Sequence, residues 1–510
     1  MKRQSITSNA IMNITLTLLN ILYPLITFPY IVRILGASGV GEVQFAMANL
    51  SYLINLASLG IPLYGTRAVA QVRNQPEQLN KVVRDIWRIN GVVSMLALGL
   101  FIVLLKTTTW FHPANLYLIL STLIIFNTLS VEWFFKGMED YRFITRVSLS
   151  SKLLALVLMV LWVNQSEHQL RYAVTLVIAA GGLNGLYYYK MRQLLHTSQR
   201  EHPHATIDAE NPLVSTLTPL NPYRTHIKAM VPFAILSLMA TLYSNIDATL
   251  LGLIHSPTAV GYYVSSTRIK FLCVGLVTSV SAVLMPRMAY YYNQRQYDTF
   301  NQLVEKAMQV VLWLALPGIS LVMIFARPIL AILFGTDFVI ANSALRLQMI
   351  SVLFIGLSNI TGIQVLIPMH QERVVVMSSI LGAISNLLLN LWLIPKFGLT
   401  GAALANTISQ ALVLAIQLYQ LGSRGWHHLT NRNVMKILVA NTISAVTLLT
   451  LLWSAVSIHS SISVALVQLV VLGAAYVALY SFLLYTMKEK IICHYLKRIT
   501  QWLDARTMRS

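Results

Sequence analysis

The sequence predicts an all-α polytopic membrane protein with about fourteen transmembrane helices, arranged as two six-helix lobes in a parallel pseudo-repeat plus two C-terminal helices. Of its 510 residues, 56% are hydrophobic and only 11% are charged. Water-soluble domains carry about 25% charged residues, so this chain has too few to cover a soluble surface. The apolar residues also cluster in runs of spanning length, and the basic residues lie between these runs.

Each predicted helix is a run of about 20 mostly apolar residues, the length needed to cross the hydrocarbon core. The first run follows a basic N-terminus and is too long for the apolar core of a signal peptide, so we interpret it as a permanent helix. The apolar windows are 10–34, 40–64, 86–105, 114–135, 143–163, 170–189, 229–253, 260–285, 307–325, 339–366, 374–394, 399–421, 435–456 and 462–486.

The distribution of the 37 Lys and Arg residues tests this helix count. With the N-terminus in the cytoplasm, most of them fall on predicted cytoplasmic connections, as the positive-inside rule requires. We therefore predict a multi-pass protein of the cell membrane with both termini in the cytoplasm. Topology and anionic lipids account for the net charge of +20, so no nucleic-acid partner is expected. The opposite connections carry only Arg33, Lys106, Arg171, Arg327 and Lys396.

The longest polar connection separates six windows from eight and is interpreted as a linker between lobes. A basic tail at the C-terminus has apolar residues on one helical face, which is typical of a helix lying in the membrane interface. The predicted divisions are an N-terminal lobe (1–192), a cytoplasmic linker (193–226), a C-terminal lobe (227–422), two further helices (423–487) and the amphipathic tail (488–510).

The two lobes repeat each other in short segments. Gly36–Gly41 opens the second window, and Ser256–Gly261 opens the eighth. Pro24 and Pro29 interrupt the first window, as Pro232 interrupts the seventh. Paired irregular helices at a repeat interface are where transporters often build binding sites, although ordinary proline kinks are the alternative interpretation.

Charged residues inside the apolar windows are the candidate substrate-binding groups. Arg268 and Lys270 lie roughly 12–15 Å into the eighth window, where a basic side chain costs about 2.5–3.5 kcal/mol unless it faces protein or water. Arg346 is expected at a comparable depth in the tenth window, and Arg33 near the outer end of the first. These cations favour an anionic ligand such as a phosphate headgroup. A structural ion pair with Asp247 in the seventh window is the alternative, and Arg33 alone is more simply explained by snorkelling.

No constellation of residues indicates an enzyme. The cysteines, Cys273 and Cys493, are far apart, and the histidine pairs have no carboxylate or cysteine at ligand spacing. No phosphate-binding P-loop is present. We therefore expect neither catalytic residues nor a cofactor or metal.

Three segments resemble the motifs of polysaccharide flippases, the Wzx-type branch of the MOP exporter superfamily. They are Phe28–Gly36 with the following Val40-Gly41, Leu59–Arg67 at the end of the second window, and Glu132–Glu139 before the fifth. In the second half, Asn245–Asp247, Val260–Tyr263, Lys270 and Pro286-Arg287 fall where such proteins carry related motifs, and the resemblance covers most of residues 10–425.

The resemblance implies a two-lobe transporter that flips undecaprenyl-diphosphate-linked oligosaccharide from the inner to the outer leaflet through a cationic central cavity. It implies that Arg33, Asp247 and Lys270 lie at or near this cavity. Arg268 and Arg346 are added by the burial argument alone. The polymerase and glycosyltransferases of the same pathway would be partners.

Three classes of alternative function stay open at this point. The first is another transporter of the superfamily, either a lipid II flippase or a multidrug antiporter, although a drug exporter would favour carboxylates and aromatics over buried cations. The second is a membrane glycosyltransferase, polymerase or ligase, for which the predicted outer connections are too short. The third is a scaffold, which would tolerate the loss of every buried charge.

Overall fold

The computed structural model describes residues 6–201, 222–422, 425, 431–454 and 462–489. All regular elements in these ranges are helical. A helix satisfies its backbone donors and acceptors within its own segment, which is why apolar runs in hydrocarbon adopt this structure. The chain forms two compact units, Met1–Gly261 and Tyr262–Ser510.

The described residues of the first unit form nine helices and the start of a tenth. Helix α1 covers the first two predicted windows and is broken at Gly36, where φ is 68° and ψ is −175°, a conformation that favours glycine. The elements are α1 (Ile6–Ser58), α2 (Ile61–Val72), α3 (Pro76–Thr107), α4 (Ala114–Leu129), α5 (Glu132–Gly137), α6 (Tyr141–Trp162), α7 (Gln169–Gly181), α8 (Asn184–Glu201), α9 (Pro222–Ile254) and α10 (Pro257–Asn293).

The second unit contains most of α10 and, in its described residues, six further helices. A π-helix at Ile360–Leu366 continues α13, and α14 is broken at Gly398, where φ is 55° and ψ is −130°. The helices are α11 (Tyr297–Ile324), α12 (Ala326–Phe334), α13 (Asn342–Asn359), α14 (Glu372–Leu421), α15 (Arg432–Ser454) and α16 (Ile462–Thr486).

The chain is a multi-span membrane protein. Within the described ranges, ten helices are long and apolar enough to cross a bilayer, or eleven if the bent α10 is included. Two of the ten contain a glycine break with a predicted window on each side, so the count of fourteen remains a prediction. The compact units divide the chain after Gly261, which groups α9 with the preceding helices. The sequence-based lobes therefore also remain a prediction, and the tail at 490–510 lies outside the described residues.

The expectation that prolines interrupt the first window is wrong. Pro24 and Pro29 lie inside α1, whose backbone departs from helical angles at Gly36. Pro232 likewise lies inside α9. A proline removes one backbone donor, and the rest of the helix continues around it. Only glycine reaches a positive φ without strain, so the break occurs at the glycine.

The two repeated segments at the starts of the second and eighth windows pack directly against each other. A Cβ atom at Gly41 would lie 1.9 Å from the Pro257 carbonyl oxygen, and one at Gly261 would lie 2.0 Å from the Ala37 carbonyl oxygen. Such distances are possible only without a side chain, as in other close helix crossings in membranes. The two segments therefore form a reciprocal backbone contact, which we call the glycine seam.

Hydrogen bonds also join α9 to α1. Asn55 donates from Nδ2 to Thr241 Oγ1 at 2.7 Å and to the Ser237 carbonyl at 3.2 Å. The hydroxyls of Tyr52 and Thr249 lie 3.1 Å apart. Ser237 and Thr241 are four residues apart and lie on one face of α9, and Thr249 follows two turns later. A polar stripe on α9 is thus satisfied by side chains of α1.

We expect Gly41→Ala to destabilise the protein by about 1–3 kcal/mol, because overpacking forces the seam apart. Thermal unfolding of the purified protein in detergent measures this as a lower midpoint. Gly99→Ala in α3 is the matched control, since a Cβ atom at Gly99 would meet no atom within 4 Å. Equal midpoints for the two variants would contradict the close contact.

Candidate functional site

Lys270 lies in the interior of α10 with only 5% of its surface exposed. Its Nζ donates a hydrogen bond to Asn406 Oδ1 at 3.2 Å and lies 5.5 Å from the centroid of the Phe271 ring. Asn406 follows the Gly398 break in α14 and is also buried. Burial of an ammonium is costly without hydrogen-bonding partners, so this contact between α10 and α14 supports the charge.

Neighbouring hydrogen bonds join α13 to the same place. Gln348 donates from Nε2 to Thr267 Oγ1 at 3.0 Å, which links α13 to α10. Thr407 donates to the Leu347 carbonyl at 3.0 Å, which links α14 to α13. Three helices therefore meet around Lys270 through polar groups, and their packing fixes the position of its side chain.

Arg268 and Lys270 do not share a helix face. Each residue of an α-helix turns by about 100°, so side chains two positions apart point in nearly opposite directions. Arg268 is half-buried, whereas Lys270 is buried. Both cations therefore lie in one predicted window, but on different faces of α10.

The side chain of Arg346 is not enclosed by protein, and its depth in the bilayer remains a prediction. Arg346 lies about 6 Å along α13 from Asn342, and the 3-10 turn Thr336–Ala341 precedes this helix within the same apolar span. Its side chain is exposed, and Nε donates to the Met323 carbonyl in the last turn of α11 at 3.0 Å. A cation at a helix C-terminus is stabilised by the unpaired carbonyls and the helix dipole.

Asp247 and Arg33 belong to the first unit. Asp247 is 4% exposed and lies in α9, two residues before the Thr249 that contacts Tyr52. Arg33 is exposed on α1, three residues before the Gly36 break. A substrate-binding role for each of the five predicted residues remains a prediction.

The structure also reveals a group of buried amides around the π-helix, which sequence reasoning missed. Gln417 hydrogen-bonds with Ser358, Thr361 and Ser378. Gln364 and Asn386 are fully buried, and neither side-chain amide has a hydrogen-bond partner among the described residues. π-helices often occur at functional sites. A search of the apolar windows for Asn and Gln, rather than for charges alone, would have found this group.

The interior of the second unit is thus polar but mainly uncharged. Among its described residues, the buried polar side chains inside helices are amides, hydroxyls and the Lys270 ammonium, and the buried carboxylate Glu489 follows α16. Amides both donate and accept hydrogen bonds, and an ammonium only donates. Such a set can bind hydroxyl-rich neutral groups and one anionic group.

Comparison with known proteins finds two family models, of which the first matches more than half of the chain. The family model described as "Polysaccharide biosynthesis protein" matches residues 6–291, and the model named MatE matches residues 232–392. A relative from Escherichia coli strain K12, named "Putative O-antigen transporter", is 25% identical over 420 residues, which cover 78% of this chain and 92% of the relative.

Two solved structures share the fold. The lipid II flippase MurJ in an inward closed conformation has a TM-score of 0.69 at 13% identity, and the match covers 94% of this chain and 99% of that chain. An inward-facing multidrug resistance MATE family transporter of the MOP superfamily has a TM-score of 0.59 at 14% identity, covering 80% of this chain and 96% of the other. These matches confirm the expected all-α membrane fold.

The hydrogen bond between Lys270 and Asn406 predicts energetic coupling between the two residues. In a double-mutant cycle with Lys270→Met and Asn406→Leu, we expect a coupling free energy of about 0.5–3 kcal/mol. Reversible unfolding in mixed micelles measures it. Thr450, exposed on α15, is the control position, and Lys270→Met with Thr450→Val should be additive. Additivity in the Lys270–Asn406 cycle would contradict the contact.

Proposed function

Because the chain belongs to the polysaccharide biosynthesis protein family, we propose that it is a flippase for a lipid-linked oligosaccharide. The substrate would be an oligosaccharide on undecaprenyl diphosphate, moved from the cytoplasmic to the outer leaflet. The name of the E. coli relative, which denotes an O-antigen transporter, supports this substrate class. The similarity to MurJ and to the MATE transporter supports the fold alone.

The observation that carries the proposal is the buried ammonium of Lys270. Its hydrogen bond to Asn406 keeps a positive charge inside an apolar helix, where it attracts an anion strongly because water does not screen it. A diphosphate offers several acceptor oxygens and can exchange with the Asn406 oxygen. The neutral amides around the π-helix then suit the hydroxyl groups of sugars.

Transport in this proposal follows alternating access around the site of Lys270. Arg268 and Arg346 would contact the diphosphate at other stages, and Arg33 would meet the headgroup near the outer leaflet. Asp247 would bind a proton or a cation. A doubly charged headgroup that leaves a negative-inside cell gains up to roughly 4–5 kcal/mol per 100 mV if it crosses the whole field, so the membrane potential alone could drive export.

The proposal includes the cellular setting. Both termini would lie in the cytoplasm of a cell-membrane protein, since the basic connections alternate as the positive-inside rule requires. Glycosyltransferases would build the substrate at the inner leaflet, and a polymerase would use it at the outer leaflet. The flippase itself would make and break no covalent bond.

The chemistry of the second unit argues against a multidrug antiporter. Drug cations favour buried carboxylates as well as aromatic faces, whereas the buried polar side chains in the described helices of this unit are amides, hydroxyls and one ammonium. A lipid II flippase would use the same anionic anchor with a different glycan. Competition by lipid II in the transport assay separates this substrate from other lipid-linked oligosaccharides.

We expect Lys270→Gln to slow flipping by roughly 10–100-fold, because a hydrogen bond to a charged group contributes about 1.5–3 kcal/mol. Glutamine can still donate to Asn406, so the fold is retained. The initial rate of flipping of a fluorescent undecaprenyl-diphosphate oligosaccharide in proteoliposomes is the measurement.

The matched control is Lys106→Gln, an exposed lysine in the last turn of α3. It should flip at the wild-type rate. Wild-type flipping by Lys270→Gln, with the protein folded and reconstituted, would exclude Lys270 from the site. Wild-type flipping by a variant neutralised at Arg268, Lys270 and Arg346 together would favour a scaffold.

A voltage experiment tests the driving force. An inside-negative potassium diffusion potential should accelerate export from the inner leaflet, because the anionic headgroup moves down the field. Asp247→Asn distinguishes export driven by the membrane potential alone from export coupled to a proton or cation that binds Asp247. If voltage has no effect on the flipping rate, and a proton gradient stimulates the wild-type protein but not Asp247→Asn, the membrane potential does not drive export.

A further inference from the structure

A cavity of about 340 Å³ lies in the first unit between the N-terminal part of α3 and the C-terminal part of α8. It is separate from every residue assigned to transport above. Its lining is rich in cations and aromatic rings, and includes Arg84, Trp87, Arg88, Tyr188, Arg192 and His196.

An aromatic pair forms one wall of this cavity and positions an arginine. The rings of Trp87 and Tyr188 stack with centroids 5.1 Å apart and an interplanar angle of 29°. The Arg192 guanidinium lies over the Tyr188 ring at 5.6 Å from its centroid. Cation–π contact orients the planar guanidinium and leaves its N–H groups available along the edge. The wall therefore holds Arg192 in place without neutralising its charge.

The second wall brings two more guanidiniums to the same space. Arg84 and Arg88 are four residues apart on α3, so they share one face of the helix although like charges at this spacing repel. Arg88 donates from Nη1 to the Tyr223 hydroxyl at 3.0 Å. The buried Asp85 carboxylate on α3 also interacts electrostatically with Arg88. Among the described residues, the salt bridges join Arg73 to Glu139 and Lys136 to Glu132, and neither involves Arg84, Arg88 or Arg192.

Trp87 contributes a buried donor to this wall. Its Nε1 atom is buried, and it has no acceptor within the described part of the chain. Tryptophan Nε1 can only donate, and guanidinium groups also only donate. The cavity thus combines three guanidinium groups with the aromatic rings of Trp87 and Tyr188, and the guanidinium groups favour an anion with several acceptor oxygens. Guanidiniums bind phosphate through paired N–H···O contacts, which matches this arrangement.

We propose that the cavity between α3 and α8 binds a phosphate group, supplied by an anionic phospholipid headgroup or by soluble phosphate. Binding would hold α3 against α8, whose last turn leads into the 202–221 connection. This second anion site would be stationary, and it would make the stability of the first unit depend on the lipid or phosphate present.

The experiment uses the full-length protein with two probes. Native mass spectrometry after exchange into micelles containing phosphatidylglycerol or phosphatidylcholine measures lipid retention. Equilibrium dialysis with radiolabelled inorganic phosphate, in phosphatidylcholine nanodiscs, measures soluble binding. Arg84→Gln/Arg192→Gln should lower the retention or the affinity at least tenfold. Arg88 is left unchanged because it also bonds Tyr223.

Arg142→Gln/Arg146→Gln is the control, because it removes the same charge from two exposed arginines of α6. It should bind both probes as wild type does. A loss confined to phosphatidylglycerol identifies a headgroup site, and a loss confined to phosphate identifies a soluble ligand.

Trp87→Phe keeps an aromatic ring beside Tyr188 but removes the Nε1 donor and part of the indole, and it should weaken binding of the same probe. Equal binding by both double variants, or no specific binding of either probe by wild type, would overturn the proposal. These measurements do not use flipping, so they stand apart from the transport function.

Discussion

The absence of water in the hydrocarbon core is the constraint on which this structure depends. Every backbone amide and carbonyl there needs an internal partner, so the chain forms long helices. The same constraint makes each departure from helical geometry costly. The breaks at Gly36 and Gly398 occur where glycine removes the steric cost of a positive φ. The π-helix at Ile360–Leu366 lies where buried amides and hydroxyls offer polar contacts.

Without a hydrophobic force between helices in lipid, small residues and polar side chains must hold the helices together. The first unit uses both. At the glycine seam, Gly41 and Gly261 let backbones touch, and further along the pair Asn55 and Thr241 exchange a hydrogen bond between α1 and α9. The second unit relies more on amides, such as Gln417 between α13 and α14. Interhelical polar bonds of this kind contribute about 0.6 kcal/mol each, so many are needed.

The sequence predicts the all-α membrane fold because hydrophobic length and basic-residue placement are local properties. It also predicts that Lys270 lies in an apolar window, yet it cannot reveal Asn406, which is 136 residues away and is brought close only by packing. Hydropathy likewise does not show that the side chain of Arg346 is exposed and donates to the Met323 carbonyl at the end of α11. The turn of about 100° per residue in an α-helix predicts that the side chains of Arg268 and Lys270 lie on nearly opposite faces.

The two proposed anion sites use different cations, and the difference fits their roles. Lysine carries a compact charge on a flexible stem, whereas arginine presents a rigid fork that stacks on aromatic rings. A transported headgroup has to be released, so a single ammonium that can return to the Asn406 oxygen suits a moving ligand. A headgroup that holds α3 against α8 has to stay bound. The contact with the Tyr188 ring already orients the Arg192 guanidinium that would bind it. Less side-chain entropy is then lost on binding, because the guanidinium is fixed in advance.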